Sequence, residues 1–281
     1  MAKGVVGADA RGSDRGDARA VVSGGGGAGE GLFSPVGLSA PRGGTLMELP
    51  SYFYLTGPSR ELARWIALAL MVLDHLAAAL FPQNLWLRLP GRAVYPVFAL
   101  FMGQTLGRGY PASRYISRLL PFALLAQPPY YMLLSPGVPW YRDLNILFTL
   151  LLGAILWYIL EKRLWFLLPP VILSAGWADY ALPGVLLIPV AAKLYQEKSP
   201  LWWFLLLLLL PCLNCPSGMT PVELALSGGA FLAFPLLGLV EFIPKGLPRG
   251  PWWLPYAFYP FHLWVAWFLL KTFPGAFPGG L

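Results

Sequence analysis

The sequence predicts an all-α fold, a polytopic transmembrane bundle of about nine helices, with eight or ten as the neighbouring counts. Three observations predict it. Of the 281 residues 57% are hydrophobic and 15% aromatic, and only 12% are charged, far below the charged share of a soluble domain. The apolar residues gather in runs of roughly 16 to 20, the length that crosses hydrocarbon as a helix. Lys and Arg collect at the ends of those runs, as they do in the loops that set orientation across a membrane.

Residues 1–46 are rich in Gly, Ala, Arg and Asp and hold no apolar run long enough for a signal-peptide core, so they are expected to be disordered. "MELPSYFYLTGPSRELARW" reads as a natural beginning, which places the expected start of translation at Met47 and the membrane domain over residues 47–281.

The first helix is expected over about 59–80, with Ser59 as an N-cap after Pro58 and Glu61 in the first turn against the positive end of the helix dipole. The following spans are expected at about 93–107, 116–134, 144–160, 164–176, 179–195, 201–213, 222–240 and 254–271, separated by Pro, Gly or charged connectors. Those at 164–176 and 201–213 are short and carry prolines ("LLPPVIL", "LLPCL").

Cations between the spans test that division. Arg60, Arg108, Arg114, Lys162, Arg163, Lys193, Lys198, Lys245 and Arg249 fall on one side, with Arg118 just inside the third helix. The opposite loops hold Arg88, Arg92 and Arg142, with Lys271 at the C-terminal end. The N-terminus is therefore expected in the cytoplasm and the C-terminus outside. The formal charge of +7 orients the chain, and no nucleic-acid partner is expected. Cys212 and Cys215 form a lone C-x-x-C. A zinc site needs two further ligands, which the two histidines in apolar segments are poorly placed to give, so no metal is expected.

Asp74 and His75 interrupt the apolar run "LALMVLDHLAAALF". A charge at membrane depth costs roughly 2.5 to 3.5 kcal/mol or more, so such a pair marks a candidate functional site. Arg64 precedes His75 by eleven residues, about three turns, and the two share nearly one helix face. A cation at the cytoplasmic mouth suits a phosphate, and a partly desolvated imidazole below it suits removal of a proton from a nucleophile. Asp74 turns about 100° away and is expected to meet a neighbouring helix rather than His75. The plainer reading is that both residues bond across helices to hold the bundle.

In "YAFYPFHLWVAW", Tyr259 and His262 interrupt the last helix, either to line one cavity with His75 or as part of an interfacial aromatic belt. Arg108, Arg114 and Arg118 suit an anionic ligand, and positive-inside bias explains them as well. Gln127, beside Pro128 and Pro129 in an apolar run, is a pocket candidate, because polar groups at membrane depth are tolerated where a cavity is lined. Asn145 and Thr149 share a helix face and serve either that pocket or packing. No dinucleotide, P-loop, nucleophile-elbow or H-E-x-x-H motif is present.

The blocks "IALALMVLDHLAAALF", "LPGRAVYPVFALFMGQTLGRG", "SRYISRLLPFALLAQPPY", "LNILFTLLLG", "ADYALPGVLLIPVAAKLY" and "YAFYPFHL" resemble, in order and spacing, those of the TraX family, named for the conjugal F-pilin acetylase. The likeness covers about residues 60 to 271. The Arg64 to His75 spacing is also similar to that of the wider transmembrane acyltransferases. The resemblance implies a multi-pass protein of a bacterial inner membrane that moves an acetyl group from cytoplasmic acetyl-CoA to a protein, glycan or lipid acceptor, such as a pilin N-terminus. Within it, His75, Asp74 and His262 are the expected catalytic residues. Arg64, Arg92, Arg114, Arg118, Gln127 and Tyr259 are the expected cofactor-binding ones, with Arg92 in the family's Gly-Arg block and Tyr259 and His262 in its Tyr-Pro-x-His block. The chain departs at Gln127, where relatives often carry Ser-Glu or Ser-Gln, and at residues 179–181, where Asp-Tyr-Ala replaces Asp-Tyr-Gly. A proton-coupled transporter with Asp74 and His75 as relay is the alternative, and a scaffold with polar residues as interhelical glue is the third.

Overall fold

The computed structural model describes residues 48–139, 141–214, 220–243 and 250–273. The tail at 1–46, Cys215, Lys245 and Arg249 lie outside the described residues. The described part belongs to one unit, Pro41–Leu281, and is helical, with nine helices in the places the apolar runs occupy.

Helix α1 is Gly57–Leu80, α2 Val94–Gly107, α3 Ala112–Leu134 and α4 Ile146–Lys162. The shorter α5 is Trp165–Ala175. It is followed by α6 (Ala181–Glu197) and α7 (Pro200–Cys212). Helix α8, Pro221–Glu241, is two helical pieces joined by a 3-10 turn at Gly229–Leu232, and α9 is Leu254–Thr272. By length and composition, α1 and α8 are long and apolar enough to cross a membrane. Large apolar side chains point outward around the bundle, among them Leu124, Phe166, Leu173, Phe204, Leu239 and Phe268.

The start of α1 differs from expectation. Thr56, in extended conformation, holds the N-cap position, and Pro58 sits in the first turn, where its missing N–H removes no helical hydrogen bond. Ser59 is buried one residue further in and caps nothing. Glu61 turns to Arg64, 2.8 Å away.

Helix α2 packs on α6, α6 on α4 and α7, α4 on α3, and α3 on α9, while α1 touches α2, α3, α8 and α9. Small residues set the α2–α6 contact: a Cβ on Gly103 would lie 2.5 Å from the Ala191 Cβ, and one on Gly107 2.7 Å from the Ala192 carbonyl oxygen. These glycines are four apart, so both face α6, and the two backbones meet by close van der Waals packing. The segment before α1 is pinned as well. Phe53 is buried, and its carbonyl accepts hydrogen bonds from Gln104 Nε2 at 3.1 Å and Tyr195 OH at 2.7 Å.

Candidate functional site

Among the described residues two cavities lie side by side along α1, one toward each of its ends. The larger, about 510 Å³, lies at the N-terminal end of α1 and the α2–α3 turn. Arg60, Arg64, Arg108 and Arg118 line it against one carboxylate, Glu61. Aromatic residues Tyr110, Tyr115, Trp252 and Tyr256 share its wall, and Leu68, Met71, Ile146 and Leu147 lie among its apolar lining. Arg118 stacks over Trp252 with its guanidinium carbon 4.3 Å from the ring centroid. Arg60 donates to the Phe101 carbonyl at 2.7 Å and to Thr105 Oγ1 at 2.9 Å, and its buried Nε has no partner among the described residues.

The smaller cavity, about 180 Å³, lies at the other end of α1. It is lined mainly by polar groups: Asp74 and His75 from α1, Arg88 and Arg92 from the turns before α2, Tyr130 and Ser135 at the end of α3, and Asp143, Asp179 and Tyr180 from connectors. Met71 and Ile146 line both cavities, so two apolar side chains mark the boundary between them.

Asp74 faces the 85–93 segment. Arg92 Nη2 lies 2.8 Å from Asp74 Oδ1, and Arg88 Nε lies 3.2 Å from the same oxygen. Arg92 also donates to Asn214 Oδ1 at 2.8 Å. Two guanidiniums and one carboxylate therefore tie the end of α1 to the entry of α2 and the end of α7. Gly91 is the residue that lets them close, because a Cβ there would meet the Asp74 Cβ at 2.4 Å.

His75 Nδ1 lies 2.7 Å from His262 Nε2, with the two rings nearly parallel and their centroids 5.0 Å apart. His262 Nδ1 is 3.0 Å from the Phe258 carbonyl oxygen. A carbonyl only accepts, so His262 Nδ1 carries the hydrogen, its Nε2 accepts, and His75 Nδ1 donates. That leaves the lone pair of neutral His75 on Nε2, an atom with no hydrogen-bond partner among the described residues, on a side chain that lines the smaller cavity. The Tyr259 ring stands edge-on to His75, at 5.8 Å between centroids, and lines the larger cavity.

Asp143 accepts from Ser135 Oγ and, at 3.2 Å, from Tyr130 OH. The Asp179 backbone N–H donates to the Leu144 carbonyl at 3.0 Å, joining the two connectors. Asp179 is exposed, and its side chain lines the cavity. Its pKa is raised by the protein crowded around the connector, with Arg92 opposing and Asp143 adding to the rise.

The structure thus brings His75 and His262 into contact, but His262 lines neither cavity. Arg64 and Arg118 line the larger cavity with Tyr259, and Arg92 stands instead at the smaller one beside Asp74. Arg114 is exposed and packs against Tyr110, 5.8 Å from the ring centroid. Gln127 lines neither cavity either: its Oε1 accepts from Asn145 Nδ2 at 2.8 Å, and its Nε2 donates to the Asp143 carbonyl at 2.7 Å. The polar group beside two prolines secures the N-terminus of α4 rather than lining a pocket. Arg60, Tyr115 and Tyr256 escaped the sequence reading. Arg60 and Arg64 carried the available signal, being one helical turn apart on α1.

Comparison with known proteins places this arrangement. The family model described as "TraX protein" matches residues 59–270. Protein TraX of Escherichia coli is 31% identical over 212 residues, covering 72% of this chain and 82% of the relative. A probable fimbrial assembly protein, FimC of serogroup H1, from Dichelobacter nodosus is 28% identical over 219 residues, covering 70% of this chain and 90% of its own. No solved structure matches. The matched span contains every residue that lines the smaller cavity, and the chain belongs to the TraX family.

Proposed function

We propose that this chain is a multi-pass membrane acyltransferase that accepts acetyl-CoA at the arginine-lined cavity on the cytoplasmic side and passes its acetyl group to an acceptor in the polar cavity. One observation carries the reading: two chemically different cavities share Met71 and Ile146 in their walls, and His75 lines the smaller one.

The larger cavity fits the donor in charge and shape. Four guanidiniums against one carboxylate suit a ligand with several phosphates, the unpaired Arg60 Nε supplies a donor still unsatisfied, and the rings beside Arg118 give a stacking surface for a base. The apolar lining that runs to Met71 suits an uncharged arm. At the far side His75 Nε2 is the group that takes a proton from the acceptor, and His262 holds it in the required tautomer by accepting from Nδ1. The fimbrial-assembly name of one relative agrees with an acceptor at or beyond the cell surface. The outward apolar side chains agree with a bundle immersed in lipid.

The relay reading has less support, because Asp74 is engaged by Arg88 and Arg92 while His75 bonds to His262.

Titration calorimetry of the detergent-purified protein with acetyl-CoA tests the donor site. Arg64→Ala combined with Arg118→Ala is expected to weaken binding at least tenfold, the loss of about 1.4 kcal/mol or more, and Arg114→Ala to leave it unchanged. Equal loss in Arg114→Ala and the double variant would contradict the assignment.

A further inference from the structure

From the wall that the two cavities share we infer that Met71 and Ile146 gauge the acyl group of the donor, admitting the acetyl methyl and turning away longer chains. The inference rests on the acyltransferase reading and names the residues that set its donor specificity.

Helix geometry puts Met71 in the path of the acyl group. Arg64, Leu68, Met71 and His75 all lie on α1, at successive spacings of a helical turn, so one stripe of the helix carries them. Arg64 and Leu68 line the larger cavity, His75 lines the smaller, and Met71 lines both. Along the axis Met71 stands about 10 Å beyond Arg64 and about 6 Å before His75. A donor with its phosphates among the arginines brings its thioester past Leu68 to Met71 before His75 can serve the reaction. Tyr259 marks the same place from α9, lining the larger cavity with its ring 5.8 Å from that of His75.

The transfer itself fixes where the acyl chain lies. The acceptor atom bonds to the thioester carbonyl carbon as its proton moves to His75 Nε2. The C–S bond then breaks, and the departing sulfur takes the proton from His75. Both the attacked carbon and whatever extends from it therefore occupy the space beside Met71 and Ile146.

The two side chains differ in compliance. Ile146 is the buried first residue of α4, and its backbone is held in place. Asn145 Oδ1 accepts from the Leu147 N–H at 3.0 Å, and Asn145 Nδ2 donates to Gln127 Oε1 at 2.8 Å and to the Ala123 carbonyl at 2.9 Å. A β-branched side chain on that capped end has little freedom at χ1. Met71 is buried and unbranched, with a side chain that fills irregular space. The room left for an acyl chain is thus set by the length of Met71 against a stiff wall.

The test uses bacterial envelopes containing the full chain, supplied in parallel with acetyl-CoA and butyryl-CoA labelled in their acyl groups; envelopes lacking the chain set the background. The readout is the ratio of butyryl to acetyl transferred, which is independent of how much of a variant folds. The parent is expected to favour acetyl at least tenfold, and Met71→Ala to raise the ratio about tenfold or more, the scale on which one methylene is discriminated in an apolar pocket. Met102→Ala, the same truncation in a residue that lines the larger cavity alone, should keep the parent's ratio. A parent without preference, a ratio unchanged in Met71→Ala, or an equal rise in Met102→Ala overturns the gauge and leaves the transferase reading standing. Absence of transfer above background from both thioesters brings down both.

Discussion

Gly91→Ala offers a test that needs no substrate. A Cβ at this position would stand 2.4 Å from the Asp74 Cβ, 2.8 Å from its Cγ and 2.9 Å from Oδ1. These are the near, rigid atoms of a side chain on α1, so relief requires Asp74 to leave its place between Arg92 and Arg88, at 2.8 Å and 3.2 Å. Overpacking a tight contact costs about 1 to 3 kcal/mol, and disturbing a partly buried ion pair adds to it. A loss of roughly 2 to 4 kcal/mol lowers the unfolding midpoint by roughly 3 to 7 °C in a chain of this size. Tryptophan fluorescence during heating in detergent reads the midpoint directly. Gly228→Ala, whose Cβ meets nothing within 4 Å, is the control and should differ little from the parent. If Gly91→Ala melts with Gly228→Ala, the clasp between α1 and the 85–93 segment is not the contact described.

Two further outcomes follow from the connector before α6. Ala181 occupies the left-handed region at φ 46°, where a Cβ is strained and glycine is not, so Ala181→Gly should raise the unfolding midpoint by the equivalent of about 0.5 to 1 kcal/mol, read in the same melt. Asp179 keeps a proton in the folded protein up to about 6 that the unfolded chain releases at its ordinary value of 3.8. Its contribution to stability therefore falls as pH rises through that window; Arg92, Arg88, Asp143 and Asp74 face it and set the size of the fall. Melts between those pH values should show a shallower slope for Asp179→Asn, and an unchanged slope would refute the placement of that carboxylate.

The helices were legible in the sequence because each is a long apolar run and Pro, Gly and cations punctuate the ends. The helices of the structure begin and end within a few residues of the apolar runs. Where the local signal had two physical meanings, the reading slipped. Ser59 after Pro58 resembles a cap, but proline tolerates the first helical turn and the helix starts before it. Gln127 beside two prolines resembles a cavity wall, but Asn145 and the Asp143 carbonyl occupy its amide.

The site itself was legible in part. Asp74 and His75 stand out because their chemistry opposes the apolar run around them, and that signal is local. Their partners are not local: His262 is 187 positions from His75 in sequence, and Asn214 is 122 from Arg92. Nor does helix spacing tell which arginines converge. Arg114 and Arg118 lie on the same helix, yet only Arg118 turns into the large cavity. The Asp-Tyr-Ala departure gains a physical meaning only from the backbone, where the residue following Tyr180 needs a positive φ.

The central claim is that His75 is the base at the meeting of donor and acceptor cavities. Its most direct measurement compares the parent chain with His75→Gln in envelopes supplied with labelled acetyl-CoA, alongside acetyl-CoA binding and melting midpoint of the purified proteins. The account predicts that His75→Gln binds acetyl-CoA as before, melts near the parent, and transfers less than about 1% of the label, in keeping with loss of general-base catalysis. Transfer at the parent's rate by a folded His75→Gln chain would contradict it.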